Sequence, residues 1–267
     1  MKDNKTIYQV DAFTDTAFKG NPAGVMILEE LPSDTWMQHM AAEMNLSETA
    51  FVAPNANGGF DIRYFTPTVE IPLCGHATLA AAHIIYQLGI KLAEEQIRFK
   101  AKAGNLTIAK DGDAIVMTFP QYHLSKIETP KQFKALLGFE PVAVYKSDAD
   151  WIIAIAEHQE LIENCNPNFE ALNLNGLGTL MITAEGKAED VDFVVRCFVP
   201  EAGINEDPVT GSAHCALMPL WASRLGKTEM ISHQISKRGG VLQVALSDYN
   251  VEIKGKAITI FEAQLKI

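Results

Sequence analysis

The chain has 267 residues, 48% of them hydrophobic, and a formal net charge of −11. This length fits one large or two small globular domains, and the acidic balance argues against a nucleic-acid partner. No apolar run reaches membrane-spanning length, so no membrane partner is expected. The N-terminal "MKDNKTIYQVDAF" lacks the apolar core of a signal peptide, and four cysteines without close pairing do not indicate a disulfide framework. We therefore expect a cytoplasmic protein.

The sequence pattern in the first part of the chain predicts strands interrupted by two helices. "TIYQVDAF" alternates like a strand, and a Gly/Pro turn leads into a second strand in "FKGNPAGVMIL". Ser33 is placed to cap a helix that runs to Met44. Strands "ETAFVA" and "DIRYF" precede an apolar helix, "CGHATLAAAH", that ends near Gly89. "QIRFKA" and a hairpin turning at Asp111 and Gly112 complete this part.

The second part starts near Pro120 and repeats this mixture of strands and helices. "QFKALL", "HQELIENC" and "NFEALN" predict short helices, whereas "AVYKSDADWIIAIA", "GTLMITAEG" and "DFVVRCF" predict strands. A second apolar helix is predicted from Gly211 to Gly226, followed by a strand-rich tail. The chain is therefore expected to be mixed α and β throughout.

A sequence repeat links the two parts. Arg63 and Arg196 each begin an Arg-x-Phe-x-Pro unit that leads through a loop into a glycine and a small-residue helix. Gly75 and His76 correspond to Gly211 and Ser212, after a loop three residues longer. Glycine lets the backbone approach a ligand closely, and a helix N-terminus attracts anions. The pattern is compatible with two ends that hold a carboxylate, and equally with two tight turns before core helices.

Four polar residues in these segments are candidates for chemistry. Glu48 begins an apolar strand, where apolar walls would raise the pKa of its carboxyl towards that of a general acid or base. His76 stands at a helix start, where it would relay a proton or simply cap the turn. Asp207 and Ser212 flank a turn, and their residue types also suit a turn and a helix start. For Glu48, a solvated position at the strand end is the alternative.

Cysteine and cofactor chemistry are less well supported by the pattern. A racemase that uses two thiols needs a cysteine before each glycine, but Thr210 precedes Gly211, and Cys215 lies about one turn inside the second helix. Cys74, with His76 and His83, has no metal-ligand spacing, so no metal is expected. "GLGTLM" lacks the third glycine of a dinucleotide fingerprint. This segment therefore does not predict a dinucleotide-binding loop.

Several longer motifs resemble one family. "DAFTDTAFKGNPAGV", "NLSETAFV", "RYFTPTVEIPLCGHATLAAA" and "DPVTGSAH" are similar, in order, to the phenazine-biosynthesis (PhzF-like) isomerases. The resemblance implies the fold of diaminopimelate epimerase. This is an α+β fold of two pseudo-symmetric halves, each a curved, mostly antiparallel, barrel-like sheet around a central buried helix, with the active site between the halves. The halves would comprise residues 1–118, joined by a C-terminal strand at about 258–267, and residues 119–257.

The resemblance also implies a function and its residues. Glu48 would be the catalytic glutamate that moves a proton on the substrate carbon skeleton, with His76 and Asp207 assisting it. The substrate would be bound by a second group: Gly75, Gly211, Ser212 and Asn21. The protein would be a homodimer and a cofactor-independent, biosynthetic isomerase of a small anionic, carboxylated metabolite. An amino-acid racemase or epimerase on the same fold, or a non-catalytic small-acid binding protein, are the alternatives.

Overall fold

The computed structural model of the chain describes residues 5–266 and divides into two compact units. The first unit comprises the residues up to Thr118 together with those from Lys254 onward, and the second comprises Phe119–Ile253. Residues 1–4 and 267 of the predicted halves lie outside the described residues. Each unit combines strands and helices, so the predicted α+β class is confirmed. None of the helices in residues 5–266 is both long and apolar enough to cross a bilayer.

The elements alternate along the chain as the sequence indicated. The first stretch carries β1 (Thr6–Ala12), β2 (Asn21–Ile27), α1 (Asp34–Met44), β3 (Glu48–Pro54), β4 (Phe60–Phe65), β5 (Glu70–Ile71), α2 (Gly75–Gln87), β6 (Ile97–Ala101), β7 (Gly104–Asp111) and β8 (Ala114–Pro120). The second carries β9 (Leu124–Ile127), α3 (Phe133–Leu137), β10 (Ala143–Ser147), β11 (Ile152–Ile155), α4 (Gln159–Glu163), α5 (Phe169–Leu174), β12 (Leu180–Glu185), β13 (Phe193–Val199), β14 (Ile204–Asp207), α6 (His214–Leu225), β15 (Glu229–Gln234), β16 (Gly240–Leu246) and β17 (Asn250–Gly255). Strand β18 (Ala257–Gln264) ends the series.

In the first unit the paired strands run in the order β18, β1, β2, β3, β4, β6, β7, β8. Neighbours are antiparallel except for the parallel pairs β2–β3 and β4–β6. The short strand β5, which the sequence did not predict, folds back on the end of β4. The C-terminal strand β18 pairs with β1, so the chain ends in the unit in which it began.

The second unit has the same strand order. Its paired strands run β9, β10, β11, β12, β13, β15, β16, with the parallel pairs β11–β12 and β13–β15. The short strand β14, also not predicted, folds back on the end of β13 as β5 does on β4. The series β10 to β16 therefore reproduces the series β1 to β7 strand by strand. This correspondence is what a duplication of the Arg-x-Phe-x-Pro segment predicts.

Helix α2 is enclosed on every side within the first unit. All residues from His76 to Ala82 are buried, which covers nearly two turns and therefore every face of the helix. The helix packs against β1, β2, β3 and β18. Gly255 allows one close approach, because a Cβ there would lie 2.4 Å from the Phe13 ring and 3.0 Å from the Leu79 side chain.

Helix α6 has the same buried character in the second unit, but it begins later than predicted. Gly211–Ala213 form a single 3-10 turn, and the α-helix starts at His214. Five consecutive residues from His214 to Met218 are buried, and the Trp221 ring stacks on Phe193 at a centroid distance of 5.7 Å. The helix ends at Gly226, as predicted, in the left-handed conformation.

The repeated Arg-x-Phe-x-Pro motif forms the same arrangement of side chains in both units. Arg63 makes two hydrogen bonds to the Glu70 carboxylate, at 2.8 and 2.9 Å, and its guanidinium lies 5.1 Å from the Phe65 ring. The corresponding bonds from Arg196 to Glu206 measure 2.7 and 2.9 Å. The planar guanidinium matches a carboxylate with two parallel bonds while stacking on an aromatic face. Each arginine thereby ties a strand to the short strand folded back on it.

Replacing Arg196 by lysine is expected to destabilise the second unit. The arginine also donates to the Ile162 and Cys165 carbonyls, at 2.9 and 2.6 Å. A lysine keeps the charge but cannot make all four bonds, so Arg196→Lys should lower the free energy of unfolding by about 1–3 kcal/mol. Urea unfolding would measure the loss. Arg224→Lys, at an exposed position, is the control and should change it by less than about 0.5 kcal/mol.

Candidate active site

Glu48 and His76 meet in the first unit at the start of two elements. Glu48 is the first residue of β3, and His76 is the second residue of α2. The Glu48 Oε2 and His76 Nε2 atoms lie 3.1 Å apart, with side-chain exposures of 13% and 8%. A carboxylate this well buried requires a partner, and His76 is that partner.

Three neighbours hold His76 in place. Asn21 Nδ2 and Cys74 Sγ lie 3.2 and 3.4 Å from His76 Nδ1. Ser47 Oγ lies 3.4 Å from His76 Nε2 and also donates to Asn21 Oδ1 at 3.4 Å. Strand β2 begins at Asn21 and β3 begins one residue after Ser47. The starts of two parallel strands and of one helix therefore supply the whole cluster.

The pKa of Glu48 corrects one expectation from the sequence. Burial is the largest single effect and raises the pKa, as expected. The charge of His76 and the hydrogen bonds of His76, Ser47 and Cys74 together outweigh it, so the pKa of Glu48 lies below its ordinary value. Apolar walls therefore do not keep the carboxyl protonated. Near neutral pH Glu48 is a carboxylate, the form that accepts a proton.

The pKa of His76 shifts in the opposite direction. Burial lowers it, but the negative groups of Cys74 and Glu48 raise it well above the ordinary value of an imidazole. The pKa of the Cys74 thiol is raised by burial and by the Glu48 charge. The Cys74 charge acts on His76 only when the thiol is ionised. While Cys74 keeps its proton near neutral pH, the Glu48 carboxylate is the negative group that favours the protonated form of His76.

The Asn21 amide can serve both protonation states of His76. Its NH₂ group donates to Nδ1 when the imidazole is neutral and the ring proton is on Nε2. With the amide rotated, the carbonyl oxygen accepts from the Nδ1–H of the imidazolium, because the oxygen and nitrogen of an amide exchange places on rotation. His76 can thus gain or lose a proton without losing this partner.

Two residues that the sequence did not single out fix the beginning of α2. Thr78 Oγ1 donates to the Cys74 carbonyl at 2.6 Å, and Tyr64 Oη lies 2.6 Å from the same Thr78 oxygen. Cys74 occupies the N-cap position, and its side chain makes no capping hydrogen bond. The first N–H groups of the helix lie at Gly75 and His76, where the helix dipole adds partial positive charge.

Asp207 and Thr210 form a braced turn in the second unit. Thr210 Oγ1 donates to Asp207 Oδ2 at 2.5 Å. The buried Gln234 amide accepts from the Thr210 N–H and donates to the Asp207 carbonyl, both at 2.7 Å. Asp207 ends strand β14, and Gly211 and Ser212 follow in the 3-10 turn. Gln234 was not identified from the sequence, because nothing in its local pattern marks a buried brace.

The structure thus brings the predicted residues together within their own units. One cluster contains the predicted residues Glu48, His76, Asn21 and Gly75. The structure adds Ser47 and Cys74 to this cluster. Asp207, Gly211 and Ser212 share one turn. His83 lies apart from the cluster and bonds to Thr259 Oγ1 at 3.1 Å.

One set of side chains has the composition of a metal site. Single ligand atoms of Glu48, Cys74 and His76 all lie within 4.8 Å of one another. Along the sequence, Cys74 and His76 stand near His83, which lies elsewhere in the structure, whereas Glu48 is distant from them along the chain. Spacing along a sequence does not reveal a ligand contributed by another element.

Comparisons with known proteins agree with this fold. The sequence profile of the phenazine biosynthesis-like proteins matches residues 10–263. An uncharacterized isomerase of Halalkalibacterium halodurans is 45% identical over 266 residues, or 97% of each chain. The crystal structure of a PhzF family protein from Enterococcus faecalis has a TM-score of 0.93 at 36% identity, covering 99% of this chain and 100% of that one. A predicted epimerase from Pseudomonas aeruginosa shares the fold, with a TM-score of 0.74 at 20% identity over 98% and 99% of the two chains.

These similarities define an enzyme of the isomerase class. The chain belongs to the phenazine biosynthesis-like (PhzF) family, as its motifs indicated.

The buried His214 predicts a pH dependence of stability. Burial lowers the pKa of His214 to about 4, and its Nε2 lies 2.8 Å from Ser232 Oγ. An unfolded histidine has a pKa of about 6.5, so the unfolded state binds more protons below that pH and stability falls towards pH 4. His214 should therefore lower the free energy of unfolding by about 2 kcal/mol between pH 7 and pH 5.

Urea unfolding of wild type and His214→Gln at pH 7 and pH 5 would measure this difference. The variant should lose the His214 part of the pH dependence. His123→Gln, at an exposed position, is the matched control and should keep the wild-type dependence. An identical pH dependence in wild type and His214→Gln would contradict the prediction.

Proposed function

We propose that this isomerase moves a proton on a small carboxylated metabolite without a cofactor, and that the Glu48 carboxylate carries the proton. One observation supports this most directly. Among the described residues, Glu48 Oε2 is buried, faces His76 Nε2 at 3.1 Å, and has no hydrogen bond of good geometry. A buried carboxylate oxygen with a free lone pair is suited to accept a proton from a bound substrate.

The proposed reaction has two proton transfers. First a C–H bond of an activated carbon breaks, its proton moves to Glu48, and the electron pair remains on the substrate as an enolate-type anion. The Glu48 carboxyl then gives the proton to a different carbon, and the carboxylate is regenerated. Nothing is oxidised or reduced overall, so the balance requires no redox cofactor.

The charge that develops in this reaction needs stabilisation, and the beginning of α2 can supply it. The N–H groups of the first turn and the helix dipole favour an anion next to Gly75. His76 lies within reach of both the carboxylate and this helix start, and Asn21 supports either of its protonation states. His76 is thus placed to stabilise the Glu48 carboxylate and to share the transferred proton.

The remaining roles are proposals from the family resemblance. Asp207 would assist proton transfer, while Gly211 and Ser212 would bind the substrate together with Asn21 and Gly75. The bracing of the Asp207 turn by Gln234 supports a role that depends on a fixed position. We also retain the homodimer as a prediction, which the molecular mass in solution would test.

A racemase that uses two thiols is the second candidate, and the buried cysteines argue against it. Burial raises the pKa of Cys215 to about 12, and the residue lies inside α6. A thiol with so high a pKa is a poor base at neutral pH. Chirality-sensitive analysis of the product would separate racemisation from proton transfer between carbons, and binding without turnover would support the third candidate, a small-acid binding protein.

Replacing Glu48 by glutamine should abolish turnover. The amide keeps the size of the side chain but cannot accept the proton, and loss of a general base typically costs about 10²–10⁴-fold in rate. The substrate is sought in a pool of small carboxylic acids incubated with enzyme in heavy water. Mass spectrometry then records deuterium uptake and new isomers.

Glu43→Gln is the matched control, because Glu43 is an exposed glutamate on α1. It should retain wild-type turnover, whereas Glu48→Gln should not. Equal turnover in wild type and Glu48→Gln would refute the assignment of Glu48. New isomers without deuterium uptake would indicate that the proton is passed internally.

A further inference from the structure

We propose that Glu48, Cys74 and His76 form a binding site for a thiophilic divalent cation of the Zn²⁺ class. We infer further that the bound cation blocks proton transfer by occupying the Glu48 carboxylate. The binding site follows from the geometry of three side chains. Only the blocking of turnover rests on the proposed function.

Two of the three separations between ligand atoms are within about 0.5 Å of those in a tetrahedral site, and all three atoms lie within 4.8 Å of one another. Zn²⁺ binds sulfur at about 2.3 Å and nitrogen or oxygen at about 2.0–2.1 Å, which places ligand atoms about 3.3–3.6 Å apart. His76 Nε2 lies 3.1 Å from Glu48 Oε2 and 3.9 Å from Cys74 Sγ. Small side-chain rotations would bring the three atoms to those distances.

The donor set favours a borderline or soft cation over Mg²⁺ or Ca²⁺. A thiolate, an imidazole nitrogen and a carboxylate oxygen are the three ligand types that Zn²⁺ takes in proteins, whereas Mg²⁺ and Ca²⁺ take oxygen. Three protein ligands also leave the fourth position for water or for an oxygen of a bound acid. The thiolate and the carboxylate together offset the two positive charges.

The ligands are held by a supporting set of hydrogen bonds. Asn21 contacts His76 Nδ1 at 3.2 Å, so the other ring nitrogen, Nε2, is directed to Glu48. A partner at the second ring nitrogen is the usual feature of a metal-binding histidine. Thr78 fixes the Cys74 carbonyl at the helix start. Glu48 Oε2 has no aligned hydrogen-bond donor among the described residues, so its lone pair is available to a cation.

Cation binding exchanges protons for metal–ligand bonds. The metal–sulfur bond forms as the Cys74 thiol releases its proton to solvent. The His76 imidazolium also releases its Nε2 proton to solvent, and the lone pair of that nitrogen then binds the cation, so two protons leave for each cation bound. No electron is transferred. With the cation on Oε2, Glu48 has no free lone pair directed at a substrate carbon, and proton transfer should stop.

Titration of the reduced, full-length protein with Co²⁺ would test the site directly. A thiolate ligand gives a near-ultraviolet charge-transfer absorption, and a tetrahedral site gives intense visible bands. We expect both, with one equivalent bound per chain and displacement by Zn²⁺. Absence of the thiolate band in wild type at saturating Co²⁺ would overturn the proposal.

Variants separate ligands from residues that only support them. Cys74→Ser and Glu48→Gln should each weaken Co²⁺ binding by more than about 100-fold, beyond the 10–100-fold typical of a supporting residue. His158→Gln is the control, because exposed His158 lies 3.9 Å from Glu157 in a surface pair, and it should bind as wild type does. Wild-type affinity in Cys74→Ser would overturn the proposal. Circular dichroism establishes that each variant is folded.

A second measurement needs no variant and no substrate. Cadmium-113 NMR of the wild-type protein distinguishes a site with one thiolate from a site with oxygen ligands alone, and a resonance of the second kind would refute the site. Thiolate-bound metal in a protein without isomerase activity would contradict only the proposed function. Deuterium uptake that is not inhibited by saturating Zn²⁺ would overturn the inferred blocking of turnover.

Discussion

An apolar helix without a polar face has to be enclosed, and the first unit is organised around that constraint. Helix α2 is buried on every face, so strands must cover it all round. Its N-terminal turn is then held next to the starts of β2 and β3. The positive end of the helix, the Glu48 carboxylate and the His76 ring meet there because the enclosed helix cannot be placed elsewhere. The cluster is thus a consequence of how the core is filled.

The second unit also encloses an apolar helix, but different polar residues stand at the start of that helix. Helix α6 is similarly buried, and the Arg196–Glu206 pair repeats the Arg63–Glu70 pair at the strand that precedes the helix loop. However, the second helix start carries Ser212 where the first carries His76. The repeat therefore preserves the framework of the fold while the reactive residues differ.

The cluster in the first unit also shows how one partner changes the chemistry of a buried acid. Burial raises the pKa of Glu48, whereas the His76 charge and the hydrogen bonds of His76, Ser47 and Cys74 together lower it below its ordinary value. Cys74 stays a thiol, because burial and the Glu48 charge both disfavour its ionised form. The proposed proton acceptor and the proposed cation ligand are two uses of the same carboxylate oxygen of Glu48.

The sequence by itself determined the local features, because caps, turns and periodicity depend on neighbouring residues. Ser33 caps α1, Gly226 ends α6, and the repeat marked both buried helices. The tertiary structure alone decided the partners. Asn21 and His76 are 55 positions apart, and no local pattern pairs them. The direction of the Glu48 pKa shift depends on that assembly, because only the folded core places the His76 ring beside the carboxylate.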